Sequence, residues 1–303
     1  MIGFLINILE QGLIFGIVSI GVYITYKILD FPDLSVDGTF ALGAAVTAAA
    51  LVKGVNPFLS LIIAFIAGLA AGAITGLLHV KLKITNLLSG ILVMIGLYSI
   101  NLRIMGKANV PLFTQKTIFS NSFLPVITIA LIAFLIKILL DMFLKTKLGF
   151  ILKTTGDNPQ MVTSLGVDMD KMKILGLMLS NAIVALAGSI MAQYQKFSDA
   201  NMGTGIIIVG LAAVIIGTSI LKKSTFVSAT TTVILGSILY KASVSAALKM
   251  GFPPTDLKLI TCLIVIIVLT LNGKRFNLSL KRTKGFSLGG VNIASNKESA
   301  KGF

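Results

Sequence analysis

Ala64-Phe65-Ile66-Ala67-Gly68-Leu69-Ala70-Ala71-Gly72-Ala73 is apolar throughout, and the apolar run around it reaches from residue 57 to residue 79. A helix rising about 1.5 Å per residue needs about 20 residues to cross a hydrocarbon core of about 30 Å. The 57–79 run meets that length without a charged residue. Gly68, Gly72 and Gly76 recur at every fourth position and so lie on one helix face. That spacing lets a second helix backbone approach closely, which is packing between membrane spans and carries no chemistry.

Working outward with the same length criterion gives about nine apolar runs, near 11–29, 38–53, 57–79, 86–103, 120–141, 173–195, 204–221, 225–246 and 257–272. The expected fold class is therefore an all-α polytopic membrane protein with about nine transmembrane helices, eight at the fewest and ten at the most. Composition agrees. Hydrophobic residues make up 55% of the 303 residues, charged residues only 12%, and the mean hydropathy is +0.96. A soluble chain is roughly a quarter charged, so this one has too little polar surface to cover a body in water. The start, Met1-Ile2-Gly3-Phe4, lacks a positively charged segment and a cleavage site, so a retained N-terminus is expected rather than a signal peptide.

The net charge of +15 comes from 26 basic and 11 acidic residues. The basic residues punctuate apolar runs and are not interleaved with aromatics. That pattern suits a membrane with anionic lipids and gives no support to nucleic-acid binding. Placing Lys81, Lys83, the 145–173 loop, Lys222, Lys223 and the tail on one side gathers most of the positive charge there, and the expected side is the cytoplasm. Lys53, Arg103, Lys107, Lys116, Lys196, Lys241 and Lys249 fall opposite. The side of the N-terminus stays open, because the break between the first two runs can lie within the membrane. Residues 1–273 form the expected transmembrane domain, with a cytoplasmic loop at about 145–172. Residues 274–303 form a basic cytoplasmic tail, disordered by composition.

Enzyme signatures are missing. Gly106-Lys107 and Gly273-Lys274 lack the upstream glycine and following hydroxyl residue of a phosphate loop, and no HExxH, GxSxG or cysteine–histidine arrangement occurs. One cysteine and one histidine leave little material for a disulfide framework or a zinc site. Cys262, within Thr261-Cys262-Leu263-Ile264-Val265, reads as a buried structural thiol, and His79 as an interfacial histidine. The chain is expected to be no enzyme, with no cofactor or metal of its own.

Two polar stretches interrupt the apolar background. In Phe31-Pro32-Asp33-Leu34-Ser35-Val36-Asp37-Gly38-Thr39, with Asp30 just before it, carboxylates crowd against membrane helices. Charge near bilayer depth is costly and marks a polar path or a paired group. The alternative is an interfacial turn, with Pro32 interrupting helix and Ser35 or Asp37 capping the next one. The second stretch, Gly156-Asp157-Asn158-Pro159-Gln160-Met161-Val162-Thr163-Ser164-Leu165-Gly166-Val167, encodes a short bounded helix. Asn158 suits the N-cap, Pro159 the first helical position and Gly166 the stop. Met161, Val162 and Leu165 are expected to share one face. A helix this short needs a surface, either the protein's own membrane face or a cytoplasmic partner.

These residues carry a resemblance. Asp33-Leu34-Ser35-Val36-Asp37-Gly38 opening a small-residue helix resembles the permeases of bacterial ATP-binding cassette (ABC) importers for branched-chain amino acids, ribose and related solutes. So do Gly156-Asp157-Asn158-Pro159 with Leu165-Gly166-Val167, Ser180-Asn181-Ala182 through Gly188, and Gly210 through Gly217. The likeness covers nearly the whole chain except the basic tail. Asn101 through Pro111 is most similar to the branch linked to tryptophan or tyrosine uptake. Sugar permeases carry Gly-Ile-Asp where this chain has Phe31-Pro32-Asp33, a departure that weakens a sugar assignment.

The resemblance implies a membrane subunit working as a pair, most simply a homodimer, in the inner membrane of a bacterial cell. Two cytoplasmic ATPase subunits, holding ATP and Mg, would flank it, and an extracytoplasmic solute-binding protein would deliver a small solute, an aromatic amino acid first. It places Asp33, Ser35, Asp37 and Thr39 near the substrate path. Gly156, Asp157, Asn158, Pro159, Met161, Val162, Leu165 and Gly166 fall at the coupling helix against the ATPase. It also implies two halves related by inverted pseudo-symmetry, of which the sequence shows one echo: Asp33 before Gly38-Thr39, and Asp199 before Gly203-Thr204. The rival reading is an ion-coupled carrier or channel for a small polar solute. Such a protein is expected to hold acids or histidines inside several spans, and the run interiors here are nearly free of them.

Overall fold

The computed structural model describes residues 2–120, 124–220, 228–251, 253, 256, 259–267 and 270. Helix α1 (Ile2–Tyr23) continues into a π-helical turn, Ile24–Ile28. It is followed by α2 (Ser35–Val52), α3 (Pro57–Val80), α4 (Asn86–Met105), α5 (Pro125–Leu144), α6 (Lys147–Asp157), α7 (Pro159–Ser164), α8 (Met169–Gln195), α9 (Ile206–Ile220) and α10 (Ala229–Lys249). Residues 259–267 are also helical. Strands β1 (Asn109–Pro111) and β2 (Phe197–Asp199) pair antiparallel, with Val110 opposite Ser198. Among the described residues, seven helices are long and apolar enough to cross a membrane, and α9 is apolar but shorter. Eight of the expected runs thus coincide with helices. The run 257–272 and the tail 274–303 lie partly or wholly outside the described residues.

α1 begins at Ile2, well before the apolar run that signalled it. Its first turns hold Asn7, Glu10 and Gln11, whose polarity hides them from a hydropathy scan. The helix tolerates them because they are paired: the Tyr194 hydroxyl donates to Glu10 Oε2 at 2.8 Å, and Gln11 Nε2 donates to Asn7 Oδ1 at 3.0 Å. Glu10 is buried, and Asp37 lies inside α2, so the expectation of nearly acid-free span interiors is corrected at these two positions.

The anticipated glycine face is where α3 meets α8. A Cβ on Gly68 would stand 2.6 Å from the Asn181 carbonyl oxygen, and one on Gly76 3.0 Å from the Ile174 Cα, with Gly72 against Leu177 between them. The order of these contacts makes the two helices antiparallel. α2 crosses α8 as closely, Gly43 against Ala185 and Gly188 against Phe40.

The two halves of the chain trade partners. α1 packs on α9 and α10, as α8 packs on α2 and α3. α2 starts beside Asn181, partway along α8, and ends where Ala48 and Leu51 cluster with Val110 and Leu112 near the strands. α9 starts beside Asp37 and runs the other way, passing Val22 at Gly210 and Thr232 at Gly217. Two helices therefore begin back to back inside the bundle and leave in opposite directions, an arrangement that recurs in transporters with inverted repeats. The sequence echo has a local counterpart: Asp33 Oδ1 accepts from the Ser35 amide at 2.9 Å, and Asp199 Oδ1 from the Asn201 amide at 2.7 Å.

The outer faces of α3 and α5 carry exposed Phe58, Ile62, Ile66, Leu131, Leu135 and Leu139. A contiguous apolar exterior of this kind belongs against lipid. The same reasoning corrects Cys262, which is exposed rather than buried. In a chain facing hydrocarbon, an apolar run does not imply an interior position.

Candidate functional site

The break between α1 and α2 is built around Asp33. After the π-helical turn, Phe31 is buried with its ring edge-on to His79, centroids 5.1 Å apart. Pro32 follows and the chain turns inward. Asp33 Oδ1 accepts from the Ser35 amide at 2.9 Å and the Ser35 hydroxyl at 2.6 Å. Asp33 Oδ2 accepts from Asn181 Nδ2 at 2.8 Å, and that nitrogen also donates to the Leu177 carbonyl at 3.0 Å. Asn181 Oδ1 accepts from the hydroxyls of Thr39, at 2.7 Å, and Ser35, at 3.2 Å. Asp33, Ser35, Thr39 and Asn181 are all buried. With no cation in the network, the carboxylate depends on these donors. They fasten the start of α2 to the middle of α8.

Asp37 has a different task. It sits in the first turn of α2 but caps α9: its Oδ2 accepts from the Gly205 amide and its Oδ1 from the Ile207 amide, both at 2.8 Å. These are the donors that a helix start leaves without partners, and a carboxylate also suits the positive end of the helix dipole. Asp37 therefore ties the two opposed helices together. It lines a cleft of about 250 Å³ with Tyr98 of α4 and Thr204. Asp33, Ser35 and Thr39 come together in the closed network, while Asp37 stands apart at the cleft.

At the far end of the bundle, α6 and α7 connect α5 to α8. The short helix expected from Asn158 to Gly166 is present. Asn158 Oδ1 accepts from the Met161 amide at 3.2 Å, Pro159 opens the helix, and Gly166 follows it with φ +70°. A single face for Met161, Val162 and Leu165 is corrected. Val162 has no exposed surface, whereas Met161 and Leu165 are 46% and 56% exposed. Neighbouring helical residues differ by about 100°, so Val162 turns to the body while Met161 and Leu165 face outward. Gly156 packs on the Ile28 carbonyl, and Gly176 faces Leu29. The α6–α7 segment thus bears on the end of α1, just ahead of Asp33. Asp168 caps α8, its carboxylate accepting from the amides of Lys171 at 3.3 Å and Asp170 at 3.0 Å. The Lys171 amide leads in holding that exposed carboxyl below its ordinary range.

Residues 4–270 match the family described as branched-chain amino acid transport system / permease component. The chain belongs to this family. It is 50% identical over 279 residues to the tyrosine transport system permease protein of Clostridioides difficile (strain R20291), covering 92% of this chain and 94% of that one. It is 28% identical over 249 residues to the galactofuranose transporter permease protein YtfT of Escherichia coli (strain K12), covering 80% and 72%. No solved structure gives a significant match. The family and the apolar helices make this a multi-pass membrane permease.

Within this permease, reasoning from the sequence missed three polar residues. Asn181 stood inside a recognised motif without a role, and only its position opposite Asp33 supplies one. Asn101 stood at the head of the Asn101–Pro111 stretch without a role of its own, although it is buried and donates to the Gly38 carbonyl at 3.3 Å. Glu10 fell outside the first apolar run. A buried amide or acid inside a span is the available signal, since such groups are costly unless partnered.

Proposed function

We propose that this chain is the membrane-spanning permease subunit of an ABC importer that moves an amino acid, tyrosine or a close aromatic relative, into the cytoplasm of a bacterial cell. The observation that carries the reading is the likeness to a tyrosine transport system permease along nearly the full length of both chains. The chain works in the inner membrane as one of a pair, most simply a homodimer. Two cytoplasmic ATPase subunits bind ATP and Mg, and a solute-binding protein delivers substrate to the strand-bearing end. This chain binds no cofactor and performs no catalysis.

The α6–α7 end carries Lys145, Lys147, Lys153, Lys171 and Lys173, which argues for the cytoplasm. There Asn158, Pro159 and Gly166 bound a helix whose Met161 and Leu165 remain free to enter a groove on the ATPase. Val162 holds the helix to the permease. Gly156 and Asp157 close α6, with Gly156 packed on the Ile28 carbonyl of the π-helical turn, so displacement of α7 reaches residues 28–33 through backbone contact. Asp33, Ser35 and Thr39, held by Asn181, then move the start of α2 as a unit, and Asp37 carries α9 with it. Alternating access follows if the back-to-back starts of α2 and α9 shift while the rest of the bundle keeps its packing.

The test is ATP hydrolysis and association. The purified chain should hydrolyse no ATP and should co-purify with a separate ATP-binding subunit that does. Hydrolysis by this chain alone, free of contaminants, would sink the importer reading.

A further inference from the structure

The cleft beside Asp37 lies between α2, α4 and the turn at residues 200–204. Asp37, Met94, Ile95, Tyr98, Asn101 and Thr204 line it, and no lysine or arginine is among its lining residues. Asn101 has no exposed surface. Its Nδ2 donates to the carbonyl of Gly38, the residue after Asp37. A carbonyl only accepts, so this contact fixes which way the amide points. Asn101 Oδ1 is then buried with no hydrogen-bond partner among the described residues. Interiors rarely keep such an atom, and a native one calls for an explanation.

The two Asp37 oxygens each accept one backbone amide and retain further acceptor capacity. The residues that line the cleft therefore carry a carboxylate (Asp37), an amide (Asn101), hydroxyls (Tyr98 and Thr204) and apolar side chains (Met94 and Ile95), and none carries a competing cation. A primary ammonium group is a pure donor with three hydrogens and a positive charge. It satisfies the idle oxygen and matches the sign of the site.

We propose that Asn101 Oδ1 and Asp37 receive the ammonium group of an amino acid in transit, with its apolar side chain against Met94 and Ile95. Asn101 is thus a substrate-contacting residue. The proposal rests on the reading of the chain as an amino acid permease.

The experiment uses the complete complex in lipid vesicles, with tyrosine-loaded binding protein outside and ATP supplied to the ATPase. Asn101→Leu keeps the side chain's branched shape and removes the idle oxygen together with the nitrogen that donates to Gly38. The variant gains by losing a buried acceptor without a donor and loses the 3.3 Å bond to the Gly38 carbonyl, two opposed terms of similar size, so it should melt close to the wild type. Tyrosine taken up per ATP hydrolysed should nevertheless fall by on the order of tenfold, the scale of one charge-assisted hydrogen bond. Ile95→Trp, which fills the cleft from its apolar side, should also lower uptake per ATP. Wild-type uptake per ATP in Asn101→Leu would overturn the proposal, as would a lower melting temperature with uptake and hydrolysis lost in proportion. Should Asn101→Leu not assemble, normal uptake by Ile95→Trp would overturn it and reduced uptake per ATP would support it. A wild-type complex that moves no amino acid would instead overturn the function on which it rests.

Discussion

Replacing Asp33 by Asn tests the network that anchors α2, because it changes one oxygen to nitrogen and almost nothing in volume. In the native arrangement Asp33 Oδ2 faces Asn181 Nδ2 at 2.8 Å, acceptor against donor. An amide whose oxygen keeps the two Ser35 bonds turns its own donors towards Asn181 Nδ2. Asn181 can answer by turning over, but its oxygen then meets the Leu177 carbonyl at about the 3.0 Å now spanned by a hydrogen bond. Either way one buried polar group loses its partner, at about 1–3 kcal/mol. The neutral amide is less costly to bury than the carboxylate, so the lower half of that range is expected. Unfolding of the detergent-solubilised chain measures it, in a cycle with Asn181→Asp and the double variant. The double variant restores donor to acceptor between positions 33 and 181 but leaves position 181 facing Leu177, so it should recover only part of the loss. A coupling of at least about 0.5 kcal/mol is expected for groups in direct contact. Asp33→Asn at wild-type stability, with no coupling to position 181, would mean that this network does not anchor α2.

Leu165→Asp should leave membrane insertion intact while co-purification of the ATPase and uptake fall together. Burial of such a side chain is worth roughly 1.5–3 kcal/mol, and about 1.4 kcal/mol is tenfold in affinity. Val162→Asp should instead destabilise the permease itself, seen as a lower melting temperature before any partner is added, because Val162 has no exposed surface. Gly72→Leu should prevent α3 from seating on α8, where even a Cβ meets the Leu177 backbone; the readout is loss of folded protein after detergent extraction. Ser164→Ala should change ATPase co-purification by less than Leu165→Asp does.

The sequence carries some of these features openly and hides others. Gly68, Gly72 and Gly76 announce the α3–α8 contact, since small residues at every fourth position have one structural use in a span. Asn158, Pro159 and Gly166 delimit α7 because cap preferences act locally. The partners of the acidic segment are hidden because they are remote: Ser35 and Asn181 are 146 positions apart, and Asp37 and Gly205 are 168 apart. Local rules made Asp37 a cap for its own helix, and the fold uses it to cap another. Val162 and Cys262 show a further limit. Lipid is as apolar as leucine, so hydrophobicity alone does not tell a helix face turned to hydrocarbon from one turned to the bundle.

As an importer subunit, this chain should pass an amino acid through the membrane only when a partner's ATP cycle drives it. Tyrosine uptake into vesicles holding the permease tests it most directly, with the ATP-binding subunit, the solute-binding protein and ATP each omitted in turn. Tyrosine should accumulate against a gradient with all three present and not when any one is missing. Accumulation by the permease alone, driven by an imposed proton or sodium gradient, would contradict it.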